Sequence, residues 1–284
     1  MRPWQLPYPR STVRSAVPSG PPIPSPTVVL VSWNLAGRVR RLAEQAARLA
    51  EVDADVVCLQ ELSAATLPIW RERLLDAGYL AAEHPDVSSA SKRSRPLFVL
   101  SACRQAARQV SVANVPWPER VLALELEDGT EIVNVHSPIS PKPGLAKVIT
   151  HRAVHEHLAR TDRRPRILCG DLNTPRREHG DGTLWTFARD RYGRIRPDRG
   201  QEWDEAELLL LQGLRRHGFR DAFRDLHGYG QREISWGWQR WKGGYRLDHL
   251  LVSGLTVEAC HYERRWRAEG LSDHSALMAR LERS

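Results

Sequence analysis

The apolar residues of this chain come in strand-length runs, and several runs stop at a residue that can do chemistry. Val28 to Trp33 stops at Asn34, Asp55 to Leu59 at Gln60-Glu61, and Glu131 to Val135 at His136. Arg166-Ile167-Leu168-Cys169 empties into Gly170-Asp171-Leu172-Asn173-Thr174-Pro175. Helical spacing falls between them: Val39, Leu42, Ala46 and Leu49 within 38–51, then 64–77, 143–160 and 205–217. More strands are expected at 97–103, 107–113, 121–126, 245–252, 256–261 and 275–281, with Asp128-Gly129 as a hairpin turn before 131–136. The polar stretch 176–204 reads as a long loop carrying a short helix around Thr183 to Arg189. Strands dominate with helices interleaved, which predicts an α/β sandwich of two facing sheets.

Residues 1–26 hold eight prolines, three arginines and no acid, so a disordered tail is expected there and one domain over 27–284. No run approaches the roughly 20 apolar residues of a membrane helix, and the N-terminus lacks the apolar core of a secretory signal. Cys58, Cys103, Cys169 and Cys260 form no Cys-x-x-Cys pair; a reducing, cytoplasmic location is the simplest expectation, and a cysteine zinc site is disfavoured. Net charge is +8, carried almost wholly by arginine. Arginine suits a polyanionic partner such as nucleic acid, but a GC-rich genome gives the same bias, so the charge permits that partner without establishing it.

The polar residues at the strand ends are Asn34, Glu61, His136, Asp171, Asn173, Asp248, Asp273 and His274. Each alone is an ordinary turn or cap residue; together they suggest one cleft at a sheet rim. Glu61 and Asp273 are hard oxygen donors suited to Mg2+ or Mn2+. Asp248 and His274 offer a carboxylate–imidazole pair that fixes the tautomer and raises basicity. Asp171 and Asn173, two residues apart on an extended segment, face the same way. Asp171 can orient or deprotonate a water, while Asn34, Asn173 and His136 can bind the non-bridging oxygens of a phosphate. The sum is metal-assisted, in-line attack of water on phosphorus.

Ser32-Trp33-Asn34, Leu59-Gln60-Glu61, Asn134-Val135-His136, Gly170-Asp171-Leu172-Asn173, Arg246-Leu247-Asp248 and Ser272-Asp273-His274 resemble the ordered motif set of the endonuclease/exonuclease/phosphatase superfamily. The resemblance runs from about Val28 to Leu281. It implies a four-layer α/β sandwich with two mostly antiparallel sheets flanked by helices. It also implies a metal on Glu61 aided by Asn34 and Asp273, nucleophile placement by Asp171, phosphate contact by Asn173, and pairing of Asp248 with His274. Gly218 to Arg224, Ser235-Trp236 and Tyr245 to Asp248 resemble the exonuclease III and apurinic endonuclease branch, where Trp236, Tyr245 and Leu247 would wall a sugar pocket. The alternative is that Trp236, Trp238 and Trp241 simply pack a loop onto the sandwich. His136 stands where the apurinic enzymes carry tyrosine and resembles the deoxyribonuclease and phosphatase branches; Ala36 stands where the repair enzymes have an acid or amide. The expectation is a Mg2+-dependent phosphodiesterase on DNA, monomeric, without membrane contact or an obligate protein partner. A phosphoesterase on an inositol phosphate or sphingomyelin-type substrate is the second reading, and a non-catalytic DNA-binding module the third.

Overall fold

The computed structural model describes residues 27–90, 96–139, 145–160, 164–238 and 243–283. The proline-rich segment, Trp241 and the first two residues of the expected 143–160 helix lie outside them. In chain order the elements are β1 (Thr27–Asn34), α1 (Leu42–Val52), β2 (Val56–Ser63), α2 (Leu67–Asp76), β3 (Ala81–Glu83), β4 (Leu97–Cys103), β5 (Ala107–Val110), β6 (Val121–Leu126), β7 (Glu131–His136), α3 (Ala146–Leu158), β8 (Arg166–Asp171), β9 (Arg177–Glu178), β10 (Leu184–Trp185) and α4 (Gly200–Leu211). They continue as β11 (Arg220–Asp221), α5 (Ala222–His227), β12 (Trp236–Trp238), β13 (Gly243–Tyr245), β14 (Asp248–Ser253), β15 (Leu255–Glu263), α6 (Arg264–Ala268) and β16 (Ala276–Arg283).

Two six-stranded sheets result, in the orders β15-β16-β1-β2-β4-β3 and β11-β14-β8-β7-β6-β5. Only β1–β2 and β7–β8 pair in parallel within them. Side-chain alternation divides each strand between two layers. In β1, Leu30 joins the core between the sheets while Val31 and Trp33 face the helices α1, α2 and α6. In β8, Ile167 and Cys169 face the opposite sheet while Leu168 packs with Leu158 of α3 and Leu210 of α4. This is the expected four-layer sandwich of helix, sheet, sheet and helix. All four cysteines are free and buried in the central layer, where they pack as small apolar groups.

The expected helices shift at their starts for local reasons. Ala36 and Gly37 adopt positive φ, turning the chain after Asn34, so α1 begins at Leu42 and Val39 is left 61% exposed. The short helix expected around 183–189 does not form. Leu184–Trp185 instead pairs with Arg177–Glu178 as a small hairpin, closed by the His179–Gly182 turn and by Asp181, which accepts the Thr183 N–H. Helix α4 starts at Gly200 rather than 205, and 213–217 is a separate 3-10 turn. β3, β11 and β12 fall outside the expected strands.

One glycine is obligatory for this architecture. Gly170 sits at φ 120°, and a Cβ there would lie 2.1 Å from the Val135 carbonyl oxygen of the paired strand β7. Gly170→Ala is expected to lower the unfolding free energy by roughly 3 kcal/mol, combining backbone strain with a steric clash. Urea unfolding checks this; an unchanged midpoint would contradict it.

Candidate active site

The sheets place the polar residues by the same alternation that builds the core. Asn34 continues the inter-sheet face of Leu30, His136 that of Ile132, Asp171 that of Ile167 and Cys169, and Asp248 that of Leu250 and Val252. At one rim of the second sheet, His136, Asp171 and Asp248 are register partners across three adjacent strands. In the first sheet Asn34 sits opposite Gln60.

Glu61 reaches this rim by a different device. Val57, Leu59 and Leu62 all face the helical layer, so the alternation slips by one residue after Leu59. The β2–β4 register shifts at that point, and Glu61 takes φ 60°. A bulge of this kind re-aims a side chain, and here it releases Glu61 from the helix-facing row. His274 enters from the turn before β16: the Ser272 hydroxyl donates to the Asn34 carbonyl (2.6 Å), and the Trp33 indole donates to the His274 carbonyl (3.2 Å).

The groups converge on Asp171. Its Oδ2 accepts from Asn34 Nδ2 (3.0 Å) and Asn173 Nδ2 (3.3 Å), and lies 3.9 Å from His274 Nε2 and 4.0 Å from His136 Nε2. Its Oδ1 accepts the Asn173 N–H (2.9 Å), an Asx turn that holds Asn173 at φ 52°. Glu61 Oε1 accepts from Asn34 Nδ2 (3.0 Å) and lies 3.3 Å from His136 Nε2. His274 Nδ1 is bonded to Asp248 Oδ2 at 2.8 Å. Ligand atoms of Glu61, Asp171 and His274 lie within 4.8 Å of one another.

Burial and neighbours push the two central groups apart. Desolvation, with Asp248 and Glu61 nearby, raises the Asp171 carboxyl to about 7. Burial alone would lower His274, but the charge and hydrogen bond of Asp248, reinforced by Asp171 and Asp273, carry it up to about 10. The two shifts run in the directions that favour a protonated His274 presenting Nε2–H and an Asp171 carboxyl able to take a proton.

Asp273 stands outside the tight group. Its Oδ2 accepts from the Trp236 indole (3.0 Å), and its buried Oδ1 has no protein partner. Trp236 and Tyr245 face each other across β12–β13 with ring planes 4° apart and centroids at 6.1 Å, and Phe187 meets Tyr245 edge-on at 5.1 Å. Leu247 is buried below, its N–H donating to Ser235 Oγ.

Three features escaped the sequence reading. Arg120, only 5% exposed, reaches within 3.4 Å of His136 Nε2 and lies over the Trp117 ring; its place in a 3-10 turn before β6 gives no periodic signal. Gln60 and Asn134 form a buried floor, with Gln60 Nε2 donating to Asn134 Oδ1 (2.8 Å) and Asn134 Nδ2 to the Leu100 carbonyl (3.0 Å). Lys147 and Glu207 form an ion pair behind Asn173.

Convergence of these side chains from six separated segments matches one set of known proteins. The sequence pattern of the Endonuclease/Exonuclease/phosphatase family matches residues 31–274. The chain belongs to this family. An exodeoxyribonuclease of Bacillus subtilis is 25% identical over 247 residues, covering 79% of this chain and 87% of that protein. The fold is similar to an AP endonuclease from Archaeoglobus fulgidus (TM-score 0.65, 19% identity, 89% of this chain and 98% of that one). It is also similar to a 3'-5' exonuclease, NExo, from Neisseria meningitidis (TM-score 0.63, 21% identity, 88% and 98%). As a member of the endonuclease/exonuclease/phosphatase family, the protein is a phosphoester-hydrolysing enzyme.

The donor set also fits the divalent cation on which this family generally depends. Glu61 and Asp171 offer hard oxygens separated by only the Asn34 amide, and Asp248 and Asp273 add further negative charge around one cationic imidazole. Hard oxygen donors suit a hard divalent cation better than a softer metal.

Proposed function

We propose that this protein is a Mg2+- or Mn2+-dependent nuclease that hydrolyses DNA phosphodiester bonds. The observation that carries the reading is the hub at Asp171 Oδ2, where two amides and two imidazoles surround one raised carboxyl. Glu61, with Asn34 beside it and Asp273 nearby, would hold the cation, which supplies positive charge to the phosphoryl oxygens when bound. Asp171 aligns the attacking water and accepts its proton. Protonated His274, fixed by Asp248, donates Nε2–H to a non-bridging oxygen as charge grows there, and His136 and Asn173 donate alongside it. Trp236, Tyr245 and Leu247 form an apolar wall against which a sugar or base can pack.

DNA as substrate is supported by the arginine excess of the chain, by those aromatics and by the identity to an exodeoxyribonuclease. No helix among the described residues is long and apolar enough to cross a membrane. The test is a panel of duplex DNA, abasic duplex, single strand, RNA, an inositol polyphosphate and sphingomyelin, each with magnesium and with chelator. Magnesium-dependent cleavage of DNA that chelation abolishes is expected. Turnover of the inositol or sphingomyelin substrate with DNA left intact would move the reading to a small-molecule phosphoesterase.

A further inference from the structure

Lysine is among the residues least often found wholly buried, yet Lys147 of α3 is only 1% exposed. Its Nζ donates to the Asn173 carbonyl at 2.7 Å and to Glu207 Oε1 of α4 at 2.6 Å. The Glu207 carboxylate is fully used: it also accepts from the Trp203 indole (2.6 Å), the Thr174 hydroxyl (2.6 Å) and the Phe187 N–H (2.9 Å). A second strut runs in parallel. Asn173 Nδ2 donates to the Ser137 carbonyl (2.7 Å), and the Ser137 hydroxyl is bonded to the buried His151 ring (2.8 Å).

A buried ion pair is a poor source of stability, because an apolar pair of similar volume holds a fold as well or better. What an apolar pair cannot supply is a donor for the carbonyl of Asn173 and acceptors for Thr174 and Phe187. Those are the two residues that follow Asp171-Leu172, in a left-handed turn at Asn173, and the residue whose ring abuts Tyr245. We infer that Lys147 and Glu207 are positioning residues, which lock the Asn173 turn in its working geometry and tie it to the Phe187–Tyr245–Trp236 wall. The inference rests on the hydrolytic reading for its kinetic consequence, but its structural consequence is independent of any substrate.

The experiment compares the full-length protein with Lys147→Met and with the apolar double variant Lys147→Met/Glu207→Leu. The single variant leaves Glu207 charged and unpaired and is destabilised. The double variant removes that stranded charge but leaves the Asn173 carbonyl and the Trp203, Thr174 and Phe187 donors unpaired, so it is expected to recover only part of the lost melting temperature. With magnesium and bis(p-nitrophenyl) phosphate, the double variant is nevertheless expected to lose about 30-fold in kcat with KM within about twofold, since small misplacements of a catalytic group cost up to about 100-fold. In an Asn173→Ala background the same double change is expected to cost less than about threefold, because the group it positions is gone. Equal losses in both backgrounds, or a double variant that regains both stability and turnover, would reduce the pair to a structural feature. Hydrogen exchange of the 171–175 backbone supplies the arm that needs no substrate. Faster exchange there in the double variant at matched global stability is expected, and unchanged exchange would overturn the inference even if the parent hydrolyses nothing in the panel.

Discussion

Asp171→Asn is expected to lower kcat on DNA by roughly 10³-fold or more, the upper range for loss of a positioned general base, with the fold intact. The isosteric amide keeps an acceptor for the Asn173 N–H but cannot take a proton from water. Asp171 is buried, and its ionised form is disfavoured by desolvation and by Asp248 and Glu61. Removing such a charge relieves the folded state, while the new amide NH2 faces the Asn34 and Asn173 donors, so the two effects oppose and the variant's melting temperature is expected to stay close to the parent's. Activity surviving the substitution would remove Asp171 from the role assigned to it. Activity lost together with the fold would show instead that the carboxylate is a structural support. Circular dichroism and single-turnover cleavage on the same preparation separate these outcomes.

A large effect on stability is expected one layer behind the site. Arg246 is buried and donates to both oxygens of Glu178 and both of Asp221. Arg224 supports Glu178 from the other side, and His249 Nδ1 lies 3.3 Å from Asp221. The cluster ties the β9–β10 hairpin to β11 and β14, immediately next to Leu247 and Asp248. Arg246→Met removes the guanidinium that the two buried carboxylates share, leaving Glu178 to Arg224 and Asp221 to His249, and is expected to cost about 3 kcal/mol, the lower end of the penalty for breaking a buried pair from one side.

The pH dependence gives this a sign. Burial alone would raise Glu178, but the charge and hydrogen bonds of Arg246, with a further bond from Arg224, hold it down at about 2 against an ordinary 4.5. A depressed folded-state carboxyl stabilises the fold above its unfolded pKa and loses that stabilisation as pH falls toward the folded value. Glu178 therefore contributes on the order of 3 kcal/mol at neutral pH, lost between roughly pH 5 and pH 2. In Arg246→Met the gap to the parent should be widest near pH 7 and narrow on acidification. A gap independent of pH would contradict the assigned cause.

The parts legible in the sequence were those set by short-range periodicity. Alternation and turn signals located the long strands and their polar ends, because in a sandwich with both sheets covered every such strand is a compact apolar run. Their positions at strand ends were enough to suggest one rim for Asn34, His136, Asp171 and Asp248 without any knowledge of the sheet order. What failed did so where tertiary partners override pattern. Asp204 falls in the polar stretch expected to be loop, yet it is buried against Arg189 inside α4, which begins at Gly200. The 183–189 segment was read as helical, but its N-terminal part pairs with Arg177–Glu178, which the Arg224–Arg246 cluster holds in place. β3 has three residues, too few for any period to show. The bulge that delivers Glu61 to the rim is a property of the β2–β4 pairing and leaves no mark in the local composition. Arg120 was missed because a buried guanidinium beside His136 is visible only once β6 and β7 are paired.

The proposal stands or falls on Glu61 holding one divalent cation at the rim where the two sheets meet, on the side facing the water-aligning Asp171. The direct measurement is anomalous diffraction from a crystal of this protein grown with manganese. An anomalous peak about 2.1 Å from a Glu61 carboxylate oxygen, on the side facing Asp171 and lost in Glu61→Gln, is the expected result. Manganese bound elsewhere, with nothing between Glu61 and Asp171 at saturating metal, would contradict it.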